Sequence, residues 1–138
     1  MYYILKMLSW LACRFPMKAC LKLGNFLGKL TWLVVPEKRK KMARENIIRC
    51  LQVDEQEAER IAKASWVQFG PMIMEVLRYP DLIKNGKMYQ HVSIEGLEYL
   101  LDAVRAGKGG IIATNHSDSW EMMGAALAQY GVPLVGVA

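Results

Sequence analysis

The sequence predicts an α/β chain in which membrane-interacting helices precede a βαβαβ portion of a mostly parallel sheet, incomplete at residue 138. Three observations carry that expectation. Apolar residues recur at helical spacing as far as residue 77. The period then changes after Asn85-Gly86, where short strand-like runs alternate with helical ones. Finally, Ile111-Ile112-Ala113-Thr114 is apolar without interruption, as a strand covered on both faces is. The expected organisation is a hydrophobic, basic anchoring segment at 1–35, a helical region at 36–86 and the first part of an α/β domain at 87–138.

With 138 residues, 53% hydrophobic and 22% charged, the chain can bury the core of one compact domain, which excludes a disordered or low-complexity tail. Cys13, Cys20 and Cys50 cannot make an even disulfide framework, and with His91 and His116 as the two histidines no metal-ligand spacing appears. Charge is more informative by position. The first 49 residues hold eleven basic and two acidic side chains, a net of +9, whereas residues 50–138 hold seven and eleven, a net of −4. A cationic, apolar beginning on a mildly acidic body suits an anionic surface. Interleaved Leu, Trp and Tyr favour lipid over nucleic acid, for which no stacking platform or binding module is present.

Between Met1 and Val35 a Lys or Arg recurs every few residues, so no charge-free run reaches the roughly 18–20 residues that span a bilayer. A helix resuming after Pro16 places Lys18, Lys22 and Lys29 within about 40° of one another. The opposite surface then carries Ala19, Leu21, Leu23, Phe26, Leu27, Leu30 and Trp32. Such a helix lies in a membrane interface, ammonium groups at the phosphates and Trp32 at headgroup depth; the alternative is an amphipathic helix docked on the protein's own core.

Pro36-Glu37 starts a basic helix to Cys50, with Met42, Ala43, Ile47 and Leu51 as its buried side. Asp54-Glu55-Gln56-Glu57 is a capping box for a helix to Leu77, which Gly70-Pro71 should kink or break. Tyr79-Pro80-Asp81 and Asn85-Gly86 read as turns. Tyr89 to Glu95 alternates as a strand and would contain His91. Leu97 to Ala106 is helical, Ile111 to Thr114 a buried strand, Ser119 to Tyr130 helical and Val132 to Val137 a third strand. Ligands of such sheets bind beyond the carboxyl ends of the strands.

Asn115-His116-Ser117-Asp118-Ser119-Trp120-Glu121 stands at one such end. With His116 in the turn and Glu121 in the first helical turn, the carboxylate can accept from Nδ1–H, leaving Nε2 free to take a proton from an alcohol. A helix N-terminus adds positive potential where an oxyanion develops. The competing reading is purely structural: Asp118 caps the helix and Glu121 reaches back to a backbone N–H. No G-x-S-x-G elbow or phosphate-binding loop occurs.

The strings Val92 to Glu98, Ala106 to Thr114, and His116 with Trp120-Glu121 resemble the lysophospholipid acyltransferase superfamily, specifically the bacterial lipid A late acyltransferases, whose basic Arg-x-Asn helix is resembled by Arg44-Glu45-Asn46. The resemblance implies a catalytic domain beginning at 87 and a membrane-associated O-acyltransferase. In it His116, oriented by Glu121, deprotonates a lipid hydroxyl that attacks the thioester of an acyl carrier protein or coenzyme A. Asn115, Ser117, Asp118 and Trp120 would contact substrate, with Lys18, Lys22, Lys29 and Trp32 at the membrane. It implies no cofactor, no metal and no nucleic acid, and places the protein on the cytoplasmic face of the bacterial inner membrane. A lipid A precursor is the expected acceptor. Where those enzymes carry Phe-Gly-Asn, this chain has Ser117-Asp118-Ser119, and Asn115 resembles the glycerolipid branch, so a glycerolipid or other glycolipid acceptor is the alternative. A non-catalytic membrane-surface module is another.

Overall fold

The computed structural model describes residues 2–84, 86–115 and 119–135. Eight helices are found among them: α1 (Tyr2–Ala12), α2 (Met17–Val34), α3 (Glu37–Leu51), α4 (Glu55–Leu77), α5 (Tyr79–Lys84), α6 (Met88–His91), α7 (Leu97–Arg105) and α8 (Trp120–Gln129). They belong to two compact units, one of Arg14–Glu75 and one of Met1–Cys13 with Val76–Ala138.

The Arg14–Glu75 unit contains α2, α3 and most of α4. Pro16 and Pro36 precede α2 and α3, as prolines that lack an N–H do at helix starts. Asp54 caps α4 through the Glu57 N–H, 2.8 Å from Oδ1, and α3 ends on Gln52 in the left-handed conformation. Trp32, Val35 and Ala62 form the core, with Ala43 and Ile47 of α3 packed against it. Met42 and Leu51, expected on the buried side of α3, are exposed instead.

Pro71 was expected to kink or break α4, yet one helix runs from Glu55 to Leu77 with Pro71 inside it. Pro71 stands where α4 meets α2. Gly24 of α2 faces Gly70 and Pro71, and Gly28 faces Val67, whose carbonyl Pro71 has no N–H to bond. A Cβ on Gly24 would lie 2.5 Å from the Gly70 oxygen, and one on Gly28 would lie 2.5 Å from the Val67 oxygen. The helices therefore run antiparallel, backbone against backbone, with Gly24 opposite Gly70 and Gly28 opposite Val67. Gly24-Asn25-Phe26-Leu27-Gly28 is a small-xxx-small pattern, the sequence signal for such an approach.

Arg44 ties the basic helix down. Nη1 donates to Glu59 of α4 at 2.8 Å and Nη2 to Glu37 at 2.7 Å. The hydrogen bond from Arg44 holds the Glu37 carboxyl below its ordinary value of 4.5. A group lowered on folding stabilises above its unfolded pKa and loses that contribution as pH falls through the folded one. Arg44→Met is thus expected to lower the melting temperature by a few degrees near neutrality, and the difference from wild type should shrink as pH falls below about 4.5, measured by circular dichroism.

In the other unit, α1 is fixed at the α4–α5 junction. Ser9 Oγ donates to the Leu77 carbonyl at 2.6 Å, and buried Arg78 donates from Nη1 to the Ala12 carbonyl at 2.7 Å and from Nη2 to Asp81 at 3.2 Å. The guanidinium thereby satisfies a carbonyl at the end of α1, where helical partners run out. Most of α1 is nevertheless exposed, including Tyr2, Tyr3, Ile4, Met7 and Trp10.

The expected βαβαβ sheet is not found. The two intervening helices are present as α7 and α8, but the described residues contain no strand. Residues 89–91 of the first expected strand belong to α6, so His91 ends a helix. Tyr89 donates to the Gln129 carbonyl and Tyr130 to the Val92 carbonyl at 2.9 Å, with the two rings edge to face at 4.9 Å. These bonds dock the segment on α8 where a ladder would need a neighbouring strand. Ile111 is 100% exposed, and 111–115 runs as irregular chain. Residues 132–135 are likewise irregular; the rest of the third expected strand lies outside the described residues. A short apolar run becomes a strand when another strand satisfies its N–H and C=O groups, and none does so among the described residues. Tyr79-Pro80-Asp81, expected as a turn, begins α5.

Candidate active site

The end of the apolar run and the start of α8 place the candidate residues. Ser119, not Asp118, is the N-cap, with φ −94° and ψ 68° and no side-chain cap hydrogen bond. Trp120 begins the helix half-buried, and Glu121 lies in its first turn, where the positive end of the helix dipole favours a carboxylate. The expected capping box from Asp118 therefore has its boundary displaced by one residue.

Two polar atoms at this point are buried without a hydrogen-bond partner among the described residues: Ser119 Oγ and Glu121 Oε2. A buried carboxylate oxygen left unpaired is costly, and native structures satisfy the great majority of such atoms. In the capping alternative the donor is the backbone N–H of Asp118, which lies outside the described residues, and that reading stands as one account of Oε2. What it needs is a donor, and an imidazole N–H is one of the groups that fits.

His116, Ser117 and Asp118 lie outside the described residues. Asn115 is exposed just before them. His91 is exposed at the end of α6. No cluster of three His, Cys, Asp or Glu side chains able to hold a metal occurs among the described residues.

Of the residues expected at the membrane, Lys18, Lys22 and Lys29 are exposed on α2. Trp32 is not: it is 7% exposed, packed in the core with its ring 6.4 Å from that of Trp66 and 5.0 Å from Lys40 Nζ. The face of α2 expected to meet lipid is thus split. Cys20, Gly24, Gly28 and Trp32, four residues apart in turn, bury one stripe, while Leu23, Phe26, Leu27, Leu30 and Leu33 leave a second exposed beside the lysines. Among the described residues no helix is long and apolar enough to cross a membrane.

Two features went unread in the sequence. The Gly24/Gly28 spacing was available but carries meaning once a partner helix is known. Lys63, on α4, joins Lys29 on one cleft, and nothing in the linear order links two lysines 34 residues apart.

Comparison with known proteins adds two findings. A family model described as bacterial lipid A biosynthesis acyltransferase matches residues 1–138. A phosphatidylinositol mannoside acyltransferase of Mycolicibacterium smegmatis (strain ATCC 700084 / mc(2)155) is 28% identical over 78 residues, which is 56% of this chain and 25% of that protein. The matched stretch therefore spans a quarter of the relative's length. No solved structure matches the chain.

Proposed function

The chain belongs to the bacterial lipid A biosynthesis acyltransferase family, and from that premise we propose that the protein acts at a membrane as an O-acyltransferase. In this reading an acyl group passes from the thioester of an acyl carrier protein or coenzyme A to a lipid hydroxyl. The observation that carries it is the buried Oε2 of Glu121, unpartnered among the described residues, in the first turn of α8, five residues after His116. Glu121 accepts a hydrogen bond from Nδ1–H of His116; Nε2 removes the hydroxyl proton; the oxygen attacks the thioester carbon. The carbonyl oxygen gains negative charge as the tetrahedral intermediate forms, and the thiolate then leaves, taking a proton from the imidazolium. Neither a covalent acyl-enzyme nor a cofactor is required by that sequence.

A lipid A precursor is the proposed acceptor because of the family description; the relative's name favours a glycosylated phospholipid as the second reading. The exposed apolar residues of α1 and the lysine and apolar stripes of α2 support a reading in which the protein works at a bilayer surface, and the cytoplasmic face is the side proposed. The test uses full-length protein with an acyl thioester, offered a lipid A precursor and a phosphatidylinositol mannoside in parallel. Thiol release should match ester formation on one acceptor by mass spectrometry. Thioester hydrolysis with no acylated lipid from either would overturn the transferase reading.

A further inference from the structure

Backbone contact between α2 and α4 has a geometric by-product. Helices this close leave no room for large side chains between them, so those side chains are displaced to the flanks and line grooves there. One flank holds a cleft of about 860 Å³ wholly within the Arg14–Glu75 unit. Phe26, Leu30 and Leu33 of α2 and Val67 of α4 make it apolar, while Lys29 stands on the α2 wall and Lys63 on the α4 wall. Phe26, Leu30 and Leu33 are all more than half exposed, Leu33 at 72%. No carboxylate lines the cleft among the described residues, and neither lysine enters an ion pair there. The third cation, Arg60, is held by Glu57.

The unit around the cleft has twelve basic and seven acidic residues, a net of +5, while the other unit has six of each. The whole net charge therefore resides in the unit that bears the cleft. We propose that this cleft seats one anionic phospholipid of the bilayer, its phosphate drawn by Lys29 and Lys63 and an acyl chain lying along Phe26, Leu30, Leu33 and Val67. Two cations without carboxylate neighbours call for an anion, and the exposed apolar wall calls for hydrocarbon; an anionic amphiphile satisfies both at once. The site involves neither His116 nor Glu121.

The experiment is partitioning of the full-length protein onto vesicles of equal parts phosphatidylcholine and phosphatidylglycerol. A Lys29→Gln/Lys63→Gln double variant is expected to bind about ten- to thirtyfold more weakly, each lysine near an anionic surface being worth up to about 1 kcal/mol. A charge-matched control, Lys38→Gln/Arg39→Gln on α3, is expected to lose about threefold or less, because those side chains do not line this cleft. Equal losses in the two doubles would show diffuse attraction and overturn the site. Leu30→Ser/Leu33→Ser, which leaves the charge unchanged, is expected to cost about tenfold as well; binding unaffected by it removes the acyl chain from the cleft. Inorganic phosphate in the millimolar range should not release the protein at constant ionic strength. Release would reveal a free-phosphate site and overturn the lipid assignment. All the replaced residues are exposed, and unchanged circular dichroism melts confirm that folding is intact.

Discussion

His116→Ala in the full-length protein is expected to lower acyl transfer by about 10³- to 10⁴-fold, the range lost when a positioned general base is removed. Folding should be little affected. Glu121→Gln is the more informative partner. Glutamine keeps the volume and can still accept a hydrogen bond from Nδ1–H, but it carries no charge to stabilise the imidazolium. Transfer should fall by about 10²-fold, and the acid limb of the pH–rate profile should move to lower pH, because loss of a neighbouring carboxylate lowers an imidazole pKa. A merely structural Glu121 would leave that limb in place. The burial of Oε2 supplies a second readout. Glu121→Leu removes a buried oxygen that lacks a partner among the described residues, so a higher melting temperature with lost transfer is the signature of a carboxylate kept for chemistry at a cost in stability. Full transfer by His116→Ala would eliminate the mechanism outright.

The largest effect on folding is expected at the helix pair. Gly24→Ala places a Cβ 2.5 Å from the Gly70 oxygen and 2.7 Å from Pro71 N, where ordinary contact begins at 3.4 Å. Both obstacles are backbone, so neither can rotate away; the helices must separate along their length. Separation of α2 from α4 loosens the Trp32, Val35 and Ala62 core that the same helices share. A loss of at least about 3 kcal/mol is expected for Gly24→Ala or Gly70→Ala, at the upper end of overpacking effects. The melt can be followed by tryptophan fluorescence, since Trp32 and Trp66 lie on the two helices concerned. Gly124→Ala in α8 is the internal control. Nothing lies within 4 Å of its added Cβ, and the substitution should be neutral or stabilising by up to about 1 kcal/mol. Similar melts for the Gly24 and Gly124 variants would mean that the close approach does not support the fold.

These two results bear on how much the sequence made legible. Helices announced themselves through local chemistry: proline at the starts of α2 and α3, Asp54 before α4, and apolar spacing in α7 and α8. Each signal acts within a few residues, which is why the boundaries fall close to those expected. Strands depend on partners far along the chain. Ile111 to Thr114 has the composition of a strand and no ladder to join, while residues 89–92 follow hydrogen bonds from Tyr89 and Tyr130 that apolar periodicity does not encode. Trp32 shows the same limit on a helix. Aromatic character suits a headgroup and a core equally, and the glycine contact that turns this face of α2 inward depends on α4. At the candidate site, spacing after His116 marks Glu121 as a candidate, and the structure adds the burial of its Oε2, which spacing could not supply. The same holds for the cationic cleft, since Lys29 and Lys63 share it through the pairing of α2 with α4.

The anchoring of α1 by Arg78 bears on how this protein can be handled at the bench. Trimming the greasy first dozen residues is the obvious way to improve solubility. That cut would also delete the Ala12 carbonyl, one of the acceptors of the buried Arg78 guanidinium, and take away the Ser9 hydroxyl that reaches Leu77. A preparation shortened in this way exchanges an exposed apolar surface for a hole in its own framework, and additives that shield the exposed side chains of α1 are the gentler remedy.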